Sequence, residues 1–495
     1  MERARRWRAA EHAWRRGFPY PAYRFARGRL CSRALSPLAA RNSRRRKSLW
    51  HSAAQRAPFA GEGSCRIESE SHRPFGFWTA TALVVGGMIG SGIFVLPAQL
   101  APYGWTSIVA WIVGVSGAML IAWVLARLTA AMPEATGVVA MCGAGLGPLC
   151  GVLVGWSYWI GIWSANAVIA LTAVRYLAQF VPMIGATALA QAVSATVLIW
   201  LLTVLNLGGA RLAGAFQVGT TVIKLVPLGA IVLILAGIAW RGGVGHSAGP
   251  YADFALGGLT PALTFAFYAI VGFEAASVAA ERVRDPARNV VRAMLFGLAL
   301  TGVLYLIVCT GIIFALPSAA VANAQAPFAL FVSTFWGPWA GLATAGFAAI
   351  AAIGALNGWT LVQGEVPLGM ARAGLLPRWI GATSTRDVPV AILLVSSTLA
   401  SLLVLSNATR SLGGLLDFML RLTAAATIWL YVGACLTALI LRIAPVAAAL
   451  GLAFAAWAMW GAGIEAICLS VGLMLTAIPL YLLRYRAALS EDAPD

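Results

Sequence analysis

Gly86-Gly-Met-Ile-Gly-Ser-Gly92 interrupts an apolar segment running from about residue 77 to residue 100. That length suffices to cross a bilayer, which takes roughly 20 mostly apolar residues. Yet four glycines and a serine fall within seven positions near its middle. Each glycine weakens a helix by about 1 kcal/mol relative to alanine, so the cluster invites the helix to open at mid-membrane. Open backbone at that depth is tolerable only where it is buried in protein or lines a polar cavity. Freed N–H groups followed by a helix N-terminus suit a carboxylate. The same small residues would also serve close helix packing.

The rest of the chain bears out a membrane setting. Its 495 residues are 60% hydrophobic and 11% charged, against about 25% charged in soluble domains. Mean hydropathy is +0.83. The net charge of +18 would suggest a nucleic-acid surface, but 18 of the 35 basic residues lie in residues 1–73, leaving the remainder at only +5. That basicity is a tail plus loop edges, not a groove with stacking platforms, and no nucleic-acid partner is expected. Cys31, Cys65, Cys142, Cys150, Cys309, Cys435 and Cys468 form no CxxC, and three of the four histidines lie in the tail. Disulfides, a metal site and a cofactor are therefore not expected. No nucleophile–base pair or phosphate loop points to an enzyme.

Residues 1–73 are Arg-rich and irregular. They read as a disordered cytoplasmic extension drawn to anionic lipid, as a targeting segment, or as the product of a misassigned start. No methionine between Met1 and Met88 offers a shorter one. A transmembrane domain follows over 74–487, with a short cytoplasmic tail at 488–495. Twelve spans are predicted, at about 77–101, 104–127, 148–181, 188–207, 212–239, 258–281, 290–315, 336–370, 389–406, 411–441, 444–463 and 466–485. With the tail inside, the inner connections and C-terminal end hold Arg127, Arg211, Arg282, Arg284, Arg288, Arg292, Arg372, Arg378, Arg386, Arg442, Arg484 and Arg486. The outer side keeps Arg175, Arg241 and Arg410. This asymmetry fits the positive-inside rule and puts both termini in the cytoplasm.

A second interruption falls in span six, at Tyr268-Ala-Ile-Val-Gly-Phe-Glu274. Spans one and six correspond if the first ten form two five-helix repeats. Paired broken helices in corresponding positions point to a transport site at the bilayer midplane. The expected fold is an all-α membrane bundle of about 12 helices, with an inverted five-helix-repeat core, broken helices 1 and 6, and two additional helices.

Ionisable groups inside the membrane cost roughly 2.5–3.5 kcal/mol at its centre on insertion scales. Glu274 has no basic residue within helical reach before Arg282. It reads as interior, either a proton carrier or a structural acid hydrogen-bonded across the break. Lys224 is the sole lysine after residue 73; a buried ammonium there would take a coupling cation's place on the broken carbonyls of span one. Asp417 and Arg421 stand four apart, the spacing of an intrahelical pair. Tyr158, Asn166, Tyr268 and Trp359 are polar and aromatic candidates for the site walls.

The run Gly86–Pro97, the segment Val271–Val290 and the loop Ala373–Ile380 resemble the amino acid–polyamine–organocation transporters. Within them the chain looks most like the basic amino acid/polyamine antiporters, and the likeness runs from about residue 74 to the C-terminus. The resemblance implies alternating access, frequent homodimers, and substrate binding at Met88, Ile89, Gly90, Ser91 and Gly92, of which Gly90, Ser91 and Gly92 hold the carboxylate. It implies Ala269, Ile270, Val271 and Gly272 for the amino group, and Asn166, Tyr268 and Trp359 for the side chain. Glu274 and Tyr158 take the proton-coupling positions. A helix-ten serine of those antiporters falls at Leu422 or Thr423. Tyr268 stands where they carry tryptophan, Gly87 where they carry asparagine, and Lys224 resembles the helix-five lysine of sodium-independent relatives. These departures weaken an assignment to arginine itself. The implied function is sodium-independent exchange of a cationic amino acid for its decarboxylated amine, in an inner membrane. Proton-driven symport of neutral amino acids is an alternative, and a non-transporting amino acid sensor is a third.

Overall fold

The computed structural model describes residues 76–132, 135, 137–209, 220, 223–242, 251–274, 283–385, 388–406, 408 and 412–491. The basic extension at 1–73 lies outside them, as do Arg211, Arg282, Arg386 and Arg410. The described residues from Gly76 onward belong to one compact unit.

The first span is two helices, α1 (Phe77–Met88) and α2 (Gly92–Leu100), separated by the glycine cluster and bent by 49°. There follow α3 (Trp105–Ala131), the short α4 (Gly137–Leu146), α5 (Pro148–Leu177), α6 (Ala188–Leu207), α7 (Leu225–Trp240) and α8 (Leu256–Ile270). The second half brings α9 (Pro286–Ala315), α10 (Ser318–Ala322), α11 (Pro327–Trp336), α12 (Pro338–Arg372), α13 (Val390–Ser406) and α14 (Leu412–Ile440). Last come α15 (Pro445–Gly461), α16 (Ile464–Leu475) and α17 (Ala477–Glu491). Among the described residues, seven helices reach spanning length in apolar composition, the last of them counted across Ile464–Arg484. With the bent first span and the shorter α7, α8, α13 and α15, they match the twelve expected crossings.

At about 1.5 Å per residue, α5 is roughly 45 Å long, and it is buried along nearly its whole length. It packs most extensively against α12 and α14. The α6 helix instead shows Leu189, Val193, Val197, Leu201 and Val204 outward. That is one helical stripe with no polar group, a face made for acyl chains.

Two elements lie between the predicted spans. The α4 and α11 helices are each ten residues, about half a bilayer core. Each runs into the same junction. Gly147 (φ 98°, ψ 161°) precedes Pro148, and Gly337 (φ 93°, ψ 167°) precedes Pro338. Glycine supplies the positive φ and proline starts the next helix without an orphaned N–H. Three residues on, Gly151 and Gly341 let the long helix fold back on the short one. An added Cβ would lie 2.7 Å from Gly143 Cα in the first case and 2.5 Å from Ser333 Cβ in the second. The repeated Gly-Pro-x-x-Gly places spans three and eight in equivalent positions, as an inverted repeat requires.

Candidate functional site

Opening a helix inside a bundle leaves carbonyls that need donors. At Ile89 the backbone leaves the helix (ψ 80°), and the Gly90 N–H turns back onto the Met88 carbonyl at 2.7 Å. Tyr305 on α9 donates its hydroxyl to that same carbonyl at 2.8 Å. Buried Lys224, at the start of α7, donates Nζ to the Gly86 carbonyl at 2.7 Å. Lys224 thus ties the start of α7 to the last turn of α1, just ahead of the break. On the far side of the break, Tyr176 of α5 donates to the Phe94 carbonyl at 2.7 Å.

The second break meets the first. The α8 helix stops at Ile270, Val271 is extended (ψ 140°) and Gly272 has φ +112°. A Cβ on Gly272 would lie 2.7 Å from the Gly87 oxygen and 3.2 Å from the Met88 nitrogen. Only a glycine permits both that conformation and that approach. Opposite, a Cβ on Gly92 would lie 3.0 Å from the Tyr268 ring, so Gly92 makes room for the tyrosine.

Between the breaks is a cavity. Gly87, Met88, Gly90, Ser91 and Gly92 line it from the first span, and Tyr268, Ala269 and Val271 from the sixth. Tyr158, Gly161, Ile162, Ala165 and Ile169 of α5 form a third wall, closed by Trp359 of α12 and by Thr423 and Thr427 of α14. Ser91 is 1% exposed, and its hydroxyl lies beside the Tyr268 phenol. It stands at the start of α2, where the first N–H groups of a helix lack intrahelical acceptors. A buried hydroxyl and a helix N-terminus at one end of a cavity are chemically suited to an anionic group.

Glu274 stands behind that cavity, 1% exposed. Its Oε1 accepts from the Tyr158 hydroxyl at 3.0 Å, and its Oε2 accepts from Tyr431 at 2.9 Å and from the Gly272 N–H at 3.0 Å. Tyr431 stacks on Phe273 with ring centroids 5.1 Å apart. Tyr158 both lines the cavity and touches the acid, so it links the two. The residues that follow, 275–282, lie outside the described set.

Of the residues singled out from sequence, Met88, Gly90, Ser91, Gly92, Tyr158, Tyr268, Ala269, Val271 and Trp359 converge on the cavity wall. Ile89, Ile270 and Gly272 belong to the breaks without lining it, and Lys224 and Glu274 support it from behind. Asn166 is not in the wall; it donates to Gln363 at 2.7 Å. Asp417 and Arg421 form the expected pair, at 2.9 and 3.2 Å, and Arg421 also donates to the Gly461 carbonyl at 3.0 Å. Sequence reasoning passed over Tyr431, Tyr305 and Gln363. Each is a polar group in an apolar helix, and that is the signal it gives.

Comparison with known proteins adds an independent line. Residues 75–483 match the family model described as amino acid permease. The chain is 30% identical over 348 residues to the cadaverine/lysine antiporter of Escherichia coli (strain K12), covering 70% of this chain and 77% of that protein. It is 27% identical over 350 residues to a putrescine transporter of Haemophilus influenzae, covering 70% and 80% respectively.

Proposed function

We infer that this chain, which belongs to the amino acid permease family of the amino acid–polyamine–organocation superfamily, is a sodium-independent exchanger of a cationic amino acid for its decarboxylated amine. Like its relatives it is a multi-pass membrane transporter of amino acids or amines and not an enzyme. The observation that carries the finer reading is the pair of opposed breaks around one cavity. The α-carboxylate goes to Ser91 and the first turn of α2, and the α-amino group to the carbonyls around Ala269–Gly272. The side chain runs between Tyr268 and Trp359 toward Asn166. Aromatic faces favour a desolvated cation by about 2 kcal/mol, and the relatives named for lysine, cadaverine and putrescine handle such cations. Lys224 takes the place of a bound sodium ion, which makes the cycle independent of sodium.

Glu274 gives the cycle its proton. All three of its neighbours donate, so the carboxylate form satisfies every one of them. Protonation turns one carboxyl oxygen into a donor, so a tyrosine hydroxyl reverses to accept from it and its own hydrogen loses this acceptor; a proton on Oε2 also weakens the acceptor of the Gly272 N–H. Acid therefore frees the sixth span and alkali holds it. The protein sits in a bacterial inner membrane with both termini cytoplasmic, and works singly or as a homodimer.

One observation favours a second reading. Among the described residues, the cavity wall holds no carboxylate, which also suits a neutral amino acid moved by proton symport. Counterflow in proteoliposomes separates the two. Vesicles loaded with unlabelled arginine, agmatine, lysine or cadaverine are offered labelled arginine or lysine without sodium, at pH 5 and pH 7.5. Exchange requires uptake only with an internal cationic partner. Uptake of a neutral amino acid into empty vesicles under a proton gradient would replace exchange with symport.

A further inference from the structure

One face of α5 forms a wall of the cavity and continues past it. Tyr158, Ile162, Ala165 and Ile169 line the cavity at helical spacing, and two turns further the same face reaches Tyr176. Tyr158 and Tyr176 are 18 residues apart. That is five turns of helix, about 27 Å, so a single unbroken helix carries a tyrosine at either end of the cavity wall.

Tyr176 is fully buried, as are Phe94 of α2 and Phe328 of α11. Its hydroxyl donates to the Phe94 carbonyl at 2.7 Å and accepts from the Phe328 N–H at 3.4 Å. Both directions are fixed, because a carbonyl can only accept and an N–H can only donate. One oxygen thereby joins three elements. Phe328 is the second residue of α11, behind Pro327, where a helix has no acceptor of its own for the N–H. The rings pack edge to face around the hydroxyl, with Phe94 centred 6.0 Å from Tyr176 and 5.1 Å from Phe328. The connection leading into α11 is fastened on both flanks. Ser318 of α10 donates to the Ala101 carbonyl at the end of the first span at 3.1 Å. Gln191 of α6 meets Gln325, just ahead of α11, at 3.0 Å. The α10–α11 pair is thus a cap that reaches from the first span to α6.

We propose that Tyr176 is a positioning residue that closes the outer side of the transport path, by holding α2 and the α10–α11 cap against α5. Tyr158 makes the matching contact at the other end of the wall, on Glu274 behind the break in the sixth span. Both contacts are made in this structure. Opening the cavity outward separates α2 and the cap from α5 and breaks the two Tyr176 hydrogen bonds. Opening it inward leaves them intact. Tyr176 therefore stabilises every state closed to the outside and no state open to it. The inference rests on the transporter reading and the orientation given above, and it holds whatever the substrate.

The test reads which side of the membrane the cavity faces. Ile169→Cys puts a thiol in the cavity wall. A membrane-impermeant methanethiosulfonate is then applied to right-side-out or to inside-out vesicles, with the protein that keeps Ile169 giving the background of the native cysteines. Tyr176→Phe, added to Ile169→Cys, removes one oxygen atom and keeps the rings. It is expected to raise the ratio of outside to inside labelling about tenfold, the weight of two buried hydrogen bonds lost from outward-closed states alone. Ser318→Ala, which frees the cap from the first span, moves the ratio the same way by about threefold, the weight of one such bond at the edge of the protein. A merely structural defect would lower the yield, or change both labelling rates together, and leave the ratio where it was. Unchanged ratios in both variants overturn the latch, and if Tyr176→Phe does not accumulate, an unchanged ratio in Ser318→Ala does so alone. A shift toward inside labelling overturns the outer placement. Labelling needs no substrate, so a native protein that carries only neutral amino acids overturns the exchange reading and leaves the latch standing.

Discussion

Glu274 accepts from Tyr158, Tyr431 and the Gly272 N–H, three donors around two oxygens. A glutamine at this position keeps the volume and one acceptor but brings its own hydrogens, so it reproduces the donor that protonation creates. Glu274→Gln is therefore expected to run at pH 7.5 at nearly the rate the native protein reaches at pH 5, with the ratio between the two pH values close to one. Counterflow at both pH values measures it; a native-like pH profile in the variant would remove Glu274 from the proton step. Lys224 works at the same scale by a different principle. Its Nζ donates to a carbonyl of the broken helix, and in the proposed cycle it supplies a cation that cannot diffuse away.

At the scale of elements, the two breaks support each other. Gly272 combines a φ of +112° with an approach that leaves no room for a methyl group against Gly87. Gly272→Ala is expected to lower exchange at least tenfold, because an unfavourable backbone region costs about 1–3 kcal/mol before the clash is relieved. Arg421 ties elements together in a second place. It reaches Asp417 on its own helix, the Gly461 carbonyl at the end of α15, and the Phe265 ring of α8 at 4.7 Å. The Asp417 pair is partly exposed and worth about 1 kcal/mol or less. Arg421→Met should then cost more stability than Asp417→Asn in thermal melts in detergent, since it removes two further contacts. Equal losses would make Arg421 a partner of Asp417 alone. The breaks, the long spans and this pair were legible because each is a local signal: glycine clusters, apolar length and charge spacing. The Tyr431 contact was not, because 157 residues separate it from Glu274 and nothing in its own helix announces a partner. The α4 and α11 helices are too short to cross a membrane, and so read as connections. Even so, Gly147-Pro148-x-x-Gly151 and Gly337-Pro338-x-x-Gly341 are a repeat written in the sequence. It is easy to miss because only the backbone-shaping residues are shared, while the apolar positions drift freely against lipid and core.

For the whole molecule, the question is how much of the chain the transport cycle needs. Every residue that lines the cavity, forms the breaks or contacts Glu274 falls between Gly86 and Tyr431. The described residues that hold them begin at Gly76. Removing residues 1–73 takes away 18 basic residues but leaves the inner connections with twelve arginines against three on the outer side. Orientation depends on basic residues close to span ends in short loops, so that remaining asymmetry is expected to hold the proposed orientation, with both termini cytoplasmic, without the extension. A chain restarted with methionine at Pro74 is therefore expected to insert the same way and to exchange within about twofold of the full chain per molecule inserted. Attraction of polybasic segments to anionic lipid, roughly 1 kcal/mol per basic residue near the surface, would act on where the protein gathers and not on its turnover. Counterflow normalised to protein content, with protease accessibility of the C-terminus in inside-out vesicles, measures both halves. If truncation abolishes exchange while insertion is intact, the extension takes part in the cycle, and the basic tail becomes a regulator of the site. If insertion itself inverts, the loop arginines are too few to orient the bundle and the tail is its topological anchor.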